Sequence, residues 1–157
     1  MIFVSVGTHP QQFNRLLEEI DRLIESGAIK EKVFAQTGYS DYKPKNYQGK
    51  DFLGMNQFDE KLKECSLFIT HAGEGNIGTA LQFEKKMVVV PRLKKYGEHT
   101  NDHQLELAEA VKKERQAVIC EVDGIKKAIE EAKHLKLKKT AHAKKIISLI
   151  EEFIGQN

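Results

Sequence analysis

Short runs of β-branched and aromatic residues, each cut off by a turn residue, alternate along this chain with helix-period segments. Met1–Val6 stops at Gly7, Lys32–Thr37 at Gly38, Leu67–Thr70 at His71-Ala72-Gly73, and Met87–Val90 at Pro91. Ala117–Cys120 is a fifth run, and Asp51–Gly54 reads as a further short strand after a polar loop over Tyr39–Lys50. Between them, Phe13, Leu16, Leu17, Ile20, Leu23 and Ile24 recur at helical spacing within Gln12–Ile24, ended by Ser26-Gly27. Asn56–Cys65, Asn76–Phe83, His103–Lys113, Gly124–Lys133 and Thr140–Ile154 are the other helical segments. Strand and helix alternating along the chain predict an α/β fold: a Rossmann-like parallel sheet with helices on both faces. In such a sheet the functional loops leave the carboxyl ends of the strands.

The rest of the composition narrows the options. At 157 residues, without repeat or linker, the chain is expected to form a single domain over 1–157. The longest apolar run, Met87–Pro91, is far short of the roughly 20 residues a membrane span needs. Met1 leads straight into Ile2-Phe3-Val4 without a basic segment, so no signal peptide is expected. Cys65 and Cys120 are far apart, which suits two ordinary thiols in a reduced, cytoplasmic protein. A net charge of +2 does not point to nucleic acid. Lys126–Lys145 does hold eight lysines against two glutamates, 8 − 2 = +6. Such a stretch is either the solvated side of a helix or a contact for an anionic membrane face.

Three strand-to-helix junctions could carry chemistry. In Gly7-Thr8-His9-Pro10 the glycine permits a tight turn and Thr8 offers a hydroxyl ahead of a helix N-terminus. In His71-Ala72-Gly73-Glu74-Gly75-Asn76 two glycines precede a helix, a cradle suited to a diphosphate, with Asn76 alternatively a plain N-cap. It is neither G-x-G-x-x-G nor a Walker A loop, and Gly78 lies inside the helix. The long loop Pro91–Gln104 collects His99, Asn101, Asp102, His103 and Gln104, partners for sugar hydroxyls, with Arg92, Lys94 and Lys95 suited to phosphate. His99 and His103 have a metal-pair spacing, but without H-E-x-x-H a metal is not expected, and Asn101-Asp102 read as capping.

Taken together, Val4-Ser5-Val6-Gly7-Thr8, Thr70-His71-Ala72-Gly73-x-Gly75, Val88-Val89-Val90-Pro91 and Asn101-Asp102-His103-Gln104-Leu105-Glu106-Leu107-Ala108 resemble the C-terminal domain of glycosyltransferase family 28. The likeness runs from residue 1 to about 154. It is nearest to the stand-alone donor-binding subunits of capsule, exopolysaccharide and dolichol-linked oligosaccharide synthesis, where loops like Gln36–Tyr42 and Tyr96-Gly97-Glu98-His99 recur. The resemblance implies one half of a GT-B glycosyltransferase, inverting, with a UDP-sugar as donor and neither cofactor nor metal. It implies donor contacts from Gly7, Thr8, Gly38, His71, Gly73, Glu74, Gly75, Asn76, Thr79, His99, Asn101, Asp102, His103 and Gln104, with uracil near Gln36–Tyr39 and Phe52–Met55. A membrane-anchored acceptor-binding subunit would present a lipid-diphosphate acceptor and recruit the protein to the cytoplasmic membrane face. A homo-oligomer is compatible with this; nucleic acid is not part of it.

Two positions depart from the family pattern. Thr79 stands where many members carry a ribose-binding Glu, and Glu84-Lys85-Lys86 replaces the usual Gly-Lys-Pro. No general base is assigned; His9 and His103 are the candidates that titrate nearest neutral pH. The expected activity is a hexosyl transfer (galactose, glucose or N-acetylglucosamine) for polysaccharide synthesis, carried out in complex. The competing expectation is a non-catalytic scaffold that docks or activates a separate transferase. A Rossmann oxidoreductase is excluded: strand one lacks G-x-G-x-x-G, and strand two ends in Gln36-Thr37-Gly38 rather than an acid.

Overall fold

The computed structural model describes residues 1–137 and 147–152. Six parallel strands form one sheet: β1 (Ile2–Ser5), β2 (Val33–Gln36), β3 (Gln48–Lys50), β4 (Leu67–Thr70), β5 (Met87–Val89) and β6 (Ala117–Ile119). Their order is β3-β2-β1-β4-β5-β6, every neighbouring pair parallel. The chain runs outward one way from β1 and then returns to start the other way at β4. That reversal places a crevice beside the carboxyl ends of β1 and β4, the position where open α/β sheets bind ligands.

Strand alternation divides the core. Val4 and Ile69 point to one face, where Leu16, Leu17 and Ile20 of α1 (Asn14–Glu25) and Ile125 and Ile129 of α5 (Ile125–Lys133) cover them. Phe3 and Phe68 point to the other, covered by Leu62 of α2 (Met55–Glu64), Ile77 and Leu81 of α3 (Glu74–Gln82), and Leu107 and Val111 of α4 (His103–Lys113). Short 3-10 turns lie at Lys94–Tyr96 and Val122–Gly124. Residues 147–152 are helical and bring Ile150 into the second core. The rest of the helix expected over Thr140–Ile154, and all the lysines after Lys136, lie outside the described residues. Among the described residues no helix is long and apolar enough to cross a membrane.

One strand is not where the sequence puts it. The edge strand is Gln48–Lys50, inside the segment expected as loop, and not Asp51–Gly54. Asp21 on α1, 3% exposed, explains the shift. Its carboxylate accepts from Tyr42 Oη at 2.6 Å and from the backbone N–H groups of Lys45 and Asn46, both at 2.8 Å. Tyr47 Oη donates to the Leu17 carbonyl at 2.8 Å. These bonds fold residues 42–47 back over α1 and deliver the next three residues alongside β2. Leu53 then turns toward the second core, its N–H donating to Gln36 Oε1 at 2.9 Å.

Asp21→Ala would leave three donors without their acceptor. It should cost about 3 kcal/mol in urea unfolding, because hydrogen bonds to a charged group are worth roughly 1.5–3 kcal/mol each. It should also raise amide exchange over residues 42–50, and Asp21→Asn, which keeps one acceptor oxygen, should lose less.

Candidate functional site

Ser5, at the end of β1, starts the site. Its Oγ accepts from the Gly7 N–H at 3.3 Å, from Gln36 Nε2 at 3.3 Å and from Asn76 Nδ2 at 3.0 Å. Asn76 Nδ2 also donates to Thr70 Oγ1 at 3.0 Å. Asn76 therefore does not cap α3: that helix begins two residues before the expected start, with Gly73 as its N-cap. Gly75 accordingly lies in the first helical turn and not in a loop. The first intrahelical bond runs from the Ile77 N–H to the Gly73 carbonyl, so the amides of Glu74, Gly75 and Asn76 stay available for an anion.

His71 sits between two glycines. A Cβ on Gly7 would come within 2.3 Å of its Nε2, and one on Gly73 within 2.0 Å of its Cε1. Gly7 also has φ +79°, which disfavours any side chain. Gly38, φ +58°, is packed so that a Cβ would lie 2.6 Å from the Gly7 carbonyl oxygen; it supports the first loop from behind. Gln104 then sets the chemistry of the ring. Its Oε1 accepts the Arg92 N–H at 3.0 Å, which fixes the amide, and its Nε2 lies 3.1 Å from His71 Nδ1. An amide nitrogen can only donate, so Nδ1 accepts and the neutral ring carries its proton on Nε2. Burial, reinforced by the Arg92 charge, pushes the His71 pKa down to about 3.

Arg92 is not a phosphate ligand in waiting, as the sequence suggests. It is fully buried and already used. Nη1 donates to the carbonyls of Gln11 at 2.8 Å and Glu98 at 2.9 Å, and Nη2 to that of Val6. Glu98, equally buried, takes a two-point bond from Arg15 (2.6 and 3.1 Å) and the Leu93 N–H at 2.9 Å, so it offers nothing to a sugar. Arg15 also stacks on Tyr96, 3.9 Å from the ring centre. The pattern that could have revealed Arg92 and Glu98 as structural is three-dimensional. In sequence they look like any polar loop residues.

Two adjoining clefts result. One, of about 300 Å³, is lined by Gly7, Thr8, His9, His71, Gly73, Glu74, Gly75, Asn76, His99 and Gln104. The other, of about 390 Å³, is lined by Ala72, Glu74, His99, Asn101, His103, Gln104 and Leu107. His9 and His99 stack at the first, with centroids 4.4 Å apart. Three sequence candidates line neither cleft. Asp102 accepts the Lys94 N–H at 3.1 Å, Thr79 donates to the Gly75 carbonyl at 2.9 Å, and Gly38 lies behind the first loop. Asn101 Oδ1 accepts the His103 N–H at 3.0 Å, an Asx turn leading into α4, whereas Asp102, the N-cap, makes no side-chain capping bond. Where uracil was expected, Tyr39 and Phe52 pack edge to face at 4.9 Å, both exposed, next to exposed Met55. Among the described residues no three His, Cys, Asp or Glu converge as metal ligands would.

A doubly covered parallel sheet in this order, with its clefts at the switch point, is the C-terminal Rossmann-like half of a GT-B glycosyltransferase fold. The chain belongs to the glycosyltransferase family 28 C-terminal domain family, whose model matches residues 1–154. It is similar in structure to the glycosyltransferase of kitacinnamycin (TM-score 0.62, 21% identity, 96% of this chain and 38% of that one). It is also similar to CalG4, the calicheamicin glycosyltransferase (0.57, 16%, 96% and 38%), and to MurG of Acinetobacter baumannii (0.54, 16%, 95% and 49%). At these identities the likeness is one of fold, and the chain spans between about two fifths and one half of each of those proteins. No curated protein matches it.

The buried neutral His71 makes stability pH-dependent in a defined direction. Unfolded, the ring titrates near 6.5; folded, its pKa is depressed. Its contribution is complete above about pH 6.5 and is lost as pH falls, by up to about 1.4 kcal/mol per pH unit. Urea unfolding between about pH 6.5 and 5 should lose stability as pH falls, with His9 and His99, whose pKa values are also lowered, adding to the slope. In His71→Asn it should be shallower by about one proton.

Proposed function

We propose that this protein is the donor-binding half of an inverting UDP-sugar glycosyltransferase. Family membership and the GT-B half-fold support the transferase class. The observation that carries the donor reading is the cleft beside His71: a fixed Nε2–H, two glycines without side chains, and the unpaired amides at the start of α3. Such a site offers dipoles to an anion and admits it close to the backbone, as the diphosphate of a nucleotide-sugar requires. The diphosphate then lies over Gly7, Thr8 and Gly73–Asn76. The sugar faces the adjoining cleft of Asn101, His103 and Gln104, and the uracil lies toward Gly38, Tyr39 and Phe52.

In the reaction an acceptor hydroxyl attacks the anomeric carbon, its proton passes to a base, and the bond to the diphosphate oxygen breaks with its electron pair. The charge gathering on the leaving UDP is met by the amides and the His71 Nε2–H without a metal. The acceptor is a lipid-diphosphate glycan held by a membrane-anchored partner, and the sugar transferred is a hexose for polysaccharide synthesis. That assignment extends the family resemblance and places the protein at the cytoplasmic membrane face through its partner.

UDP at a hundredfold excess over Kd should stabilise the chain by about 2.7 kcal/mol, read as a rise in Tm. Gly73→Ala, which drives a methyl into His71, and Gln104→Ala, which releases the ring, should both abolish the rise. No rise at millimolar UDP would favour a scaffold that docks another transferase. Co-purification with a membrane protein, followed by transfer from UDP-galactose, UDP-glucose or UDP-N-acetylglucosamine, tests partner and sugar.

A further inference from the structure

His9 and His99 come from different loops, one after β1 and one after β5, yet their rings stack with 26° between planes. Each loop repeats the same device. The N–H two residues on, from Gln11 or Asn101, donates to the ring Nδ1, both at 3.3 Å. A backbone N–H can only donate, so each Nδ1 keeps its lone pair and each neutral ring carries its proton on Nε2. With Nδ1 turned to its own loop, the opposite edge of the ring, bearing Nε2–H, is left for the cleft both residues line. Neither Nε2 has a hydrogen-bond partner among the described residues. His71 reaches the same tautomer by another route, through Gln104. Three imidazoles around one cleft are thus set to donate from the same atom.

The surroundings oppose charging the pair. Burial lowers the His9 pKa, and His99 and Arg92 act in the same direction. Burial and then Arg92 lower that of His99, against an opposing pull from Glu74 on α3, while His103 on α4 adds to the lowering. His71, above β4, is itself neutral. Among the described residues the anion that acts on the pair is Glu74, and the hydrogen bond with Asn101 also opposes the lowering at His99.

We propose that His9 and His99 form a paired, uncharged N–H clamp for the diphosphate of the donor, their Nε2–H groups acting as fixed dipoles. This assignment rests on the nucleotide-sugar reading above. It replaces the sequence reading of His9 as a base candidate: the ring's one lone pair is spent on the Gln11 N–H, so the acceptor's proton goes elsewhere.

The test uses the full chain and UDP-glucose, UDP-galactose and UDP-N-acetylglucosamine, whose diphosphate diesters do not change charge near neutral pH. Titration calorimetry should show affinity varying by less than about threefold between pH 6 and 8.5, since no proton is taken up on binding. An affinity that climbs toward tenfold per pH unit as pH falls would mean an imidazolium clamp and overturn the proposal. His9→Gln and His99→Gln place an amide N–H near the Nε2 position and should bind within about threefold of wild type, whereas His9→Phe and His99→Phe should each lose about tenfold. Phe variants that bind like wild type would overturn it. Nitrogen-15 imidazole spectra of the wild-type protein near neutral pH are a readout independent of any variant's folding. They should show His9, His71 and His99 as Nε2–H tautomers; an Nδ1–H or doubly protonated ring at His9 or His99 overturns the clamp. Failure of wild type to bind UDP or any of the three sugars sinks the nucleotide-sugar reading, and the clamp with it. Binding with the wrong pH or variant pattern sinks the clamp alone.

Discussion

One buried guanidinium holds the site in register. Arg92 lies just past β5, and its planar fork reaches across the switch point to carbonyls of the loop after β1 and back to Glu98 of its own loop. Desolvation lowers its pKa to about 10, partly offset by the Glu98 charge, which leaves it protonated at neutral pH. A buried cation persists only where its hydrogen bonds are made, so the two loops cannot separate without exposing a charge to an apolar interior. Glu98 continues the tie outward through Arg15 on α1 and, by way of Tyr96, to Gln12, whose Nε2 donates to the Tyr96 carbonyl at 3.1 Å. The distance between the first and third loops is therefore set by charge-assisted bonds beneath the cleft and not by the residues that line it.

From that constraint the geometry above follows in order. Arg92 donates its backbone N–H to Gln104, which orients the amide; the amide orients His71; and His71 fits only because Gly7 and Gly73 lack side chains. The stack of His9 on His99 depends on the same clamp, because one ring rides on each of the joined loops. A lysine in place of Arg92 would keep the charge but not the fork. It could not reach three carbonyls from two loops at once.

Much of this architecture was legible in the sequence, for a simple reason. β1, β2, β4 and β5 are largely buried runs rich in apolar residues, each followed by a turn residue, and β6 is a short apolar run at the sheet edge. The helices on the two faces show their period because one side of each is solvated. β3 was misplaced because it is wholly exposed, so no apolar pattern marks it; it is positioned by Asp21, about 25 residues upstream. The glycine loops and Gln104 stood out because glycines and polar side chains gather where strands give way to helices. Ser5 did not, hidden as one hydroxyl in an apolar strand, although three donors converge on it. Arg92 was misread because a charged loop residue looks solvent-facing until the partners that bury it are known. The tautomer of a histidine depends on hydrogen bonds from a backbone N–H or a distant amide, and no one-dimensional pattern encodes those.

On the proposed reading, an anion entering the cleft meets neutral donors and not mobile charge. Arg92 lies beneath the surface, its two terminal nitrogens donating to backbone carbonyls and its Nε without a partner among the described residues. Charging both stacked imidazoles at 4.4 Å would add a repulsion of about 4 kcal/mol at an effective dielectric of about 20, beside an existing guanidinium. Charging either one would place a second proton on an Nδ1 that already faces an N–H donor. Neutral donors avoid both costs and still strengthen as negative charge gathers in front of them. On the proposed reading, that is the difference between substrate and transition state which lowers a barrier: a donor diphosphate of constant charge on entry, and an extra charge on the oxygen released as the sugar leaves. An array of N–H dipoles held rigid by Arg92 and Gln104 favours the second state over the first.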